Sequence, residues 1–215
     1  MKAYYNELMK FVPHSIQIAE REDLRHLWKL EPYPCLSIFE DFYECFQNAP
    51  DIRTAFFKIL PIEEIYIKND GLVFSPGYKN TYPAGIEMSD LDCEDPRVKY
   101  QKHENGVWYN ESLNLRSYLF NVAAWQILHT MNITAHIKIR NEKNLEKIIG
   151  DSLFFIGEDR SVRLGSNYLT CQNAEKNILV VFNRLNGYLH FGADNEGTLT
   201  DFIKSNYPAA KIHGI

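Results

Sequence analysis

Three Asx-Gly pairs place the tightest limit on how this chain can fold. Asp70-Gly71 lies in "EEIYIKNDGLVFSPG", Asn105-Gly106 in "RVKYQKHENGVWYN" and Asn186-Gly187 in "NILVVFNRLNGYLHFG". Each stands between runs rich in β-branched and aromatic residues. A tight type I′ turn needs positive φ at both central residues, and Asx-Gly meets that need at little steric cost. Each pair therefore predicts a β-hairpin, and three hairpins predict a largely antiparallel sheet. "SLFFIGEDRSVRLG" reads as one more hairpin.

The remaining segments carry a helical period. Tyr4, Leu8 and Val12 recur every four residues before Pro13, and Leu24, Leu27 and Trp28 repeat the pattern. In "CLSIFEDFYECFQ", Leu36, Phe39, Phe42, Tyr43 and Phe46 form one stripe, with Glu40, Asp41 and Glu44 off it. That stripe predicts a helix with its aromatics in the core. "SLNLRSYLFNVAAWQILHTM" predicts a helix of nearly five turns, with Leu115, Leu119, Val122 and Gln126 near one line and Ser112 as N-cap. "NEKNLEKIIG" predicts a short helix from Asn141 ended by Gly150, and "GTLTDFIKSNYP" a last helix closed by Pro208. The expected fold is α+β, a mostly antiparallel sheet packed by N-terminal and central helices. Residues 1–215 are read as one continuous domain, with 135–150 as the candidate joint should it divide.

Composition narrows the function classes. The 215 residues are 45% hydrophobic and 13% aromatic, enough for a substantial core, so disorder is excluded as the dominant state. A net charge of −5 argues against a general nucleic-acid binder, which needs a basic patch. The opening "MKAYYNELMKFVPHS" holds no signal-peptide core, and no apolar run approaches the roughly 18 residues of a membrane helix. The expected location is the cytoplasm. Cys35, Cys45, Cys93 and Cys171 show no CxxC or finger spacing and are read as reduced and structural. The seven histidines show no ligand spacing, and no metal or cofactor is expected.

"GIEMSDLDCEDPRV" packs Glu87, Asp90, Asp92, Glu94 and Asp95 into one short stretch. It is not an EF-hand calcium loop: the glycine that makes the sharp turn is replaced by Asp95, and the closing bidentate Glu by Gln101. Nor does one crowded turn give two carboxylates the separate environments that glycoside chemistry needs. A solvated loop and a docking surface both remain. No G-x-S-x-G elbow, P-loop or H-E-x-x-H occurs, and "GYKNTYPAG" lacks dinucleotide-loop spacing. No catalytic residues are assigned, and the chain is expected not to be an enzyme. A hydrolase with an unrecognised site stays open as a further alternative.

In order, these features resemble the SUKH superfamily, which includes bacterial immunity proteins and relatives of the yeast Smi/Knr cell-wall regulator. The matching residues are Leu36, Phe39, Phe42 and Tyr43 of the proline-led helix, then "LPIEEIYIKNDGLVF" with Val73 and Phe74. Gly85, Ile86, Asp95, Pro96 and Val98 follow, then Trp108, Ser112, Leu113, Tyr118 and Leu119. The resemblance covers roughly residues 30–130. Gly77, Tyr78 and Lys79 stand where many members carry Glu-Asn-Gln, and Ala84 stands where they carry tryptophan. The resemblance implies a non-catalytic protein that neutralises a cognate toxin by occlusion, with a basic nuclease domain as partner. Nucleic acid and membrane are not expected as partners. The alternative is a regulatory interaction scaffold of the cell-wall type. The residues expected to bind the partner are Tyr78, Lys79, Asn80, Tyr82, Asp90, Asp92, Glu94 and Trp108. Core packing is the competing reading for Trp108. Asp95 is read as structural, since the following proline biases it toward a turn.

Overall fold

The turn before Gly71 is tight, and it is set one residue earlier than the Asx-Gly pair predicts. Asn69 and Asp70 are its central residues, at φ 49° and 55°, and Lys68 pairs with Gly71. Gly71 is thus the first residue of a strand. The structure is a computed structural model. It describes residues 2–12, 33–46, 49–54, 58–77, 82–101, 106–139, 154–156, 168–173, 175–183 and 186–214. The segments expected around Leu24–Trp28 and the helix expected at 141–150 lie outside them, as does most of the 152–165 hairpin.

The described helices are α1 (Lys2–Met9), α2 (Leu36–Phe46), α3 (Pro50–Thr54), α4 (Leu115–Thr130) and α5 (Glu196–Asn206). The strands are β1 (Tyr66–Lys68), β2 (Gly71–Ser75), β3 (Ala84–Glu87), β4 (Arg97–Gln101), β5 (Trp108–Asn114), β6 (Ile133–Lys138), β7 (Phe154–Phe155), β8 (Tyr168–Asn173), β9 (Ile178–Asn183) and β10 (Tyr188–Ala193). Every described strand pair is antiparallel, so the α+β class with a mostly antiparallel arrangement is as expected. The described strands form two five-stranded sheets, not one, in the orders β1-β2-β3-β4-β5 and β6-β10-β9-β8-β7.

By its contacts the chain divides into two compact units. One holds residues 1–5 and 16–126, the other 6–15 and 127–215. The sequence reading treats 1–215 as one domain and looks for a joint at 135–150; the division observed falls inside α4.

In the first unit, α2 forms because its apolar side chains repeat at helical spacing. Leu36, Phe39, Phe42, Tyr43 and Phe46 are all buried, as their stripe predicts. They make an aromatic core: Tyr5 stands edge-on to Phe42 and Phe46, and Phe39 edge-on to Phe74 of β2. The Tyr43 hydroxyl donates to the Leu60 carbonyl at 2.6 Å. Burial holds that phenol well above the usual tyrosine range. Tyr5 and Leu8 of α1 and Phe11 just beyond it are buried, whereas Val12 of the expected Tyr4–Leu8–Val12 line is half-buried.

In the second unit, one face of the sheet buries Ile137, Val180, Phe182, Leu189 and Phe191 against Leu199, Phe202 and Ile203 of α5. Asn195 starts α5 by accepting the Thr198 N–H at 2.9 Å. On the opposite face Gly192 gives Met131 and Leu128 room to lie on the strand. The hairpin at Asn186-Gly187 is looser than a two-residue turn. Asn183 pairs with Tyr188, Gly187 takes positive φ (71°), and the Asn186 side chain accepts the Tyr188 N–H at 3.0 Å. The β8–β9 hairpin, turning through Asn177 at φ 50°, carries no Asx-Gly and was not expected.

Among the described residues, no helix is long and apolar enough to cross a membrane.

Candidate functional site

The acidic stretch folds into a connection between β3 and β4 that consumes most of its own charge. Glu87 ends β3, the chain turns through a 3-10 helix at Met88–Asp90, and Leu91 is fully buried beneath the loop. Lys99 of β4 reaches back between two carboxylates, with Nζ 2.5 Å from Glu87 Oε2 and 2.8 Å from Asp90 Oδ2. Burial lowers the affinity of that amine for its proton, but the hydrogen bonds to Asp90 and Glu87 outweigh it. The ammonium is held above the ordinary lysine range. Asp90, a residue expected to face a partner, is therefore engaged inside the chain.

Asp95 is structural, as its turn position predicts. Its Oδ1 accepts the backbone N–H of Arg116 at 2.9 Å, and Oδ2 lies 3.9 Å from Arg116 Nε. The neighbouring Pro96 carbonyl accepts the Leu115 N–H at 2.8 Å. The loop thus caps the start of α4 and satisfies donors that a helix leaves open there. Ser112, the expected N-cap, lies within β5 instead, because the strand continues to Asn114. Replacing Asp95 with alanine is expected to lower stability by about 1 kcal/mol, and asparagine to restore most of it. Urea midpoints at unchanged slope would check this. Asp92, Cys93 and Glu94 remain exposed at the loop tip.

The described residues contain no group of three or more His, Cys, Asp or Glu able to hold a metal ion. All four cysteines are free; Cys35, Cys45 and Cys171 are buried. Burial pushes the Cys35 thiol up to about 11.

Trp108, at the start of β5, is half-buried. Its indole lies on Gly71 and Gly85, and Nε1 donates to the Asn69 carbonyl at 2.8 Å. β2 and β5 are three strands apart in the sheet order, about 14 Å if the sheet were flat. The contact therefore requires the sheet to curl around the ring. The same curl brings the loop at Gly106 (φ 80°) against the Asn69 side chain.

The other side of these strands carries a row of tyrosines. Tyr82, just before β3, stacks on Tyr100 of β4 at 6.0 Å and 23° between planes, and Tyr100 stacks on Tyr109 of β5 at 6.0 Å and 24°. Register makes the row: Ala84 pairs with Tyr100, and Tyr100 with Tyr109. Tyr82 is 47% and Tyr109 39% exposed. On β4 the row continues the face that buries Val98, at the end where that face reaches solvent.

Of the eight expected residues, the five that are described do not form one surface. Tyr78, Lys79 and Asn80 lie outside the described residues. Tyr82 belongs to the tyrosine row, Asp90 to the Lys99 cluster, and Trp108 to the concave face. Asp92 and Glu94 lie beyond the far end of β3 from Tyr82, separated by about 13 Å of strand. Tyr100 and Tyr109 were not expected. A signal existed in the β4–β5 hairpin, but the wrong register hides it. A two-residue turn on Asn105-Gly106 would set Tyr100 opposite Glu111, whereas the ladder closes at Gln101–Trp108 and brings Tyr109 opposite.

No family model, curated protein or solved structure matches this chain.

Proposed function

We propose that this chain is a non-catalytic binding protein that acts in the cytoplasm by covering a cognate toxin, in the manner of the immunity proteins of the SUKH superfamily that it resembles. The observation that carries the reading is the stacked row Tyr82–Tyr100–Tyr109, with Tyr82 and Tyr109 exposed and Tyr100 half-buried between them. Tyrosine offers a large apolar face and a hydrogen-bonding hydroxyl at low conformational cost, and such residues dominate binding energy at protein interfaces. Strand pairing and mutual stacking hold the rings in place before any partner arrives, which reduces the entropy lost on binding. Asp92 and Glu94, exposed on the β3–β4 loop, favour encounter with a basic partner such as a nuclease domain.

The test is capture of the tagged chain from its native host, followed by reconstitution with the isolated domain of what is captured. The expected result is one stoichiometric partner with a toxin-like domain whose activity is lost when the chain is added. A set of cell-wall or signalling proteins, none inhibited, would sink the proposal and favour the scaffold alternative.

A further inference from the structure

The first sheet ends at β1 in exposed apolar side chains. β1 has β2 on one side and, among the described residues, no strand on the other. Tyr66 pairs with Val73 and Ile67 with Leu72, and both β2 partners are buried. Tyr66 itself is 40% exposed and Ile67 54%. Side chains alternate across a strand, so these two lie on opposite faces. Each face of the sheet thus carries an apolar row out to β1, where it meets solvent.

The backbone of β1 fixes which groups are left for a further strand. The turn at Asn69 and Asp70 closes on the Lys68–Gly71 pair, which is hydrogen-bonded in a two-residue hairpin. Bonded and non-bonded pairs alternate along an antiparallel ladder, so Tyr66 and Lys68 turn their N–H and C=O groups toward β2. Ile67 turns both of its own away from β2. Ile65 likewise presents its carbonyl outward, while its N–H closes the preceding 3-10 turn on the Ile62 carbonyl at 3.4 Å.

An antiparallel copy of the same segment fits this edge in one register. Ladder bonds require Ile65 or Ile67 opposite Ile65 or Ile67 of the second copy, so the two-fold axis falls at Ile65, Tyr66 or Ile67. An axis at Ile67 sets Glu64 against Asp70, two like charges. An axis at Ile65 runs the second strand into the 3-10 turn at Ile62–Glu64. An axis at Tyr66 sets Ile65 against Ile67 twice on one face. On the other face it sets Tyr66 against Tyr66, with Glu64 against Lys68 on either side. Glu64 and Lys68 are both exposed, and opposite charges across a ladder stabilise it. Lys68, the kind of charge that keeps a lone edge from pairing, meets its complement only there. We propose that β1 is a homodimer edge: two copies of this chain pair β1 to β1 about Tyr66 and join their first sheets edge to edge.

The ladder is short, so the expected dissociation constant is on the order of 100 μM, at the weak end for specific contacts. Sedimentation equilibrium of the full chain, loaded from well below that concentration to about tenfold above it, should show monomer passing to dimer. Glu64→Lys and Lys68→Glu each set like charges against each other twice across the axis, and each should weaken dimerisation about tenfold. The double variant Glu64→Lys/Lys68→Glu restores both pairs and should recover the unaltered constant. Mixing the two single variants should give a heterodimer, since each supplies the charge the other lacks. A chain that stays monomeric over the whole range would overturn the proposal. So would a dimer that the single variants leave unchanged or the double variant fails to restore. Should a variant not fold, added salt decides with the unaltered chain: screening of the exposed pairs must weaken the dimer, and a dimer indifferent to salt rejects this register.

Discussion

Gly85→Ala is expected to cost about 3 kcal/mol, near the top of the range for overpacking a close-packed site, and removing Trp108 is not expected to relieve it. A methyl group at Gly85 would lie 2.6 Å from the Leu72 carbonyl oxygen, 3.2 Å from its carbon, and 3.1 Å from Trp108 Cη2. The nearest obstacle is the backbone of the paired strand, and moving it breaks β2–β3 pairing. Gly71→Ala is the instructive contrast. The three atoms nearest its methyl would all belong to the Trp108 indole, among them Cε2 at 2.5 Å and Nε1 at 2.9 Å. In the background Trp108→Ala, the added cost of Gly71→Ala should drop below about 0.5 kcal/mol, because the obstacle has gone. The cost of Gly85→Ala should stay near its full value. Urea denaturation of the four single and double variants gives both cycles. Equal relief at the two glycines would show that the curl around Trp108 is not what these positions serve.

Those two glycines also mark how far local signals reach. Asp70-Gly71 reads as a turn from its two residues alone, and a turn is there. Yet the turn is made by Asn69 and Asp70, and Gly71 is required by an indole from β5, far along the chain. The stripe of α2 was legible because a helix buries residues three and four apart, and all five of its members lie within eleven positions. The N-cap of α4 was not. Ser112 is a good local candidate, but β5 runs on to Asn114 and a carboxylate 21 positions upstream takes the capping role. Hairpin signals gave the antiparallel character and could not say which hairpins share a sheet, since that depends on contacts between distant strands. Asn177 shows the opposite failure: a left-handed asparagine followed by Ile178 in place of glycine turns the chain as well as Asx-Gly does.

The candidate site was legible residue by residue and misleading as a group. Asp95 was read correctly because proline restricts its neighbour. Asp90 looked free because Lys99, its partner, lies on the next strand.

The tyrosine row and the acidic tip should fail differently when altered, because they lie at opposite ends of β3. With the partner in hand, Tyr82→Ala and Tyr109→Ala are each expected to weaken binding by about 2 kcal/mol, roughly thirtyfold. The loss should fall mainly in the dissociation rate, since buried aromatic contacts hold a formed complex. The pair should be worth less than the sum if both rings act through Tyr100, which stacks between them. Asp92→Lys and Glu94→Lys should instead slow association and flatten its dependence on salt, with dissociation little changed. Asp90→Asn serves as the internal control. It removes a bond to Lys99 and so lowers stability, but its carboxylate is already engaged and binding should hold. Surface-based kinetics at two ionic strengths would separate these effects. If the tyrosine variants bind with unchanged dissociation while the acidic-tip variants lose the complex, the contact face is the β3–β4 loop. The tyrosine row would then be a stacked edge that protects the sheet.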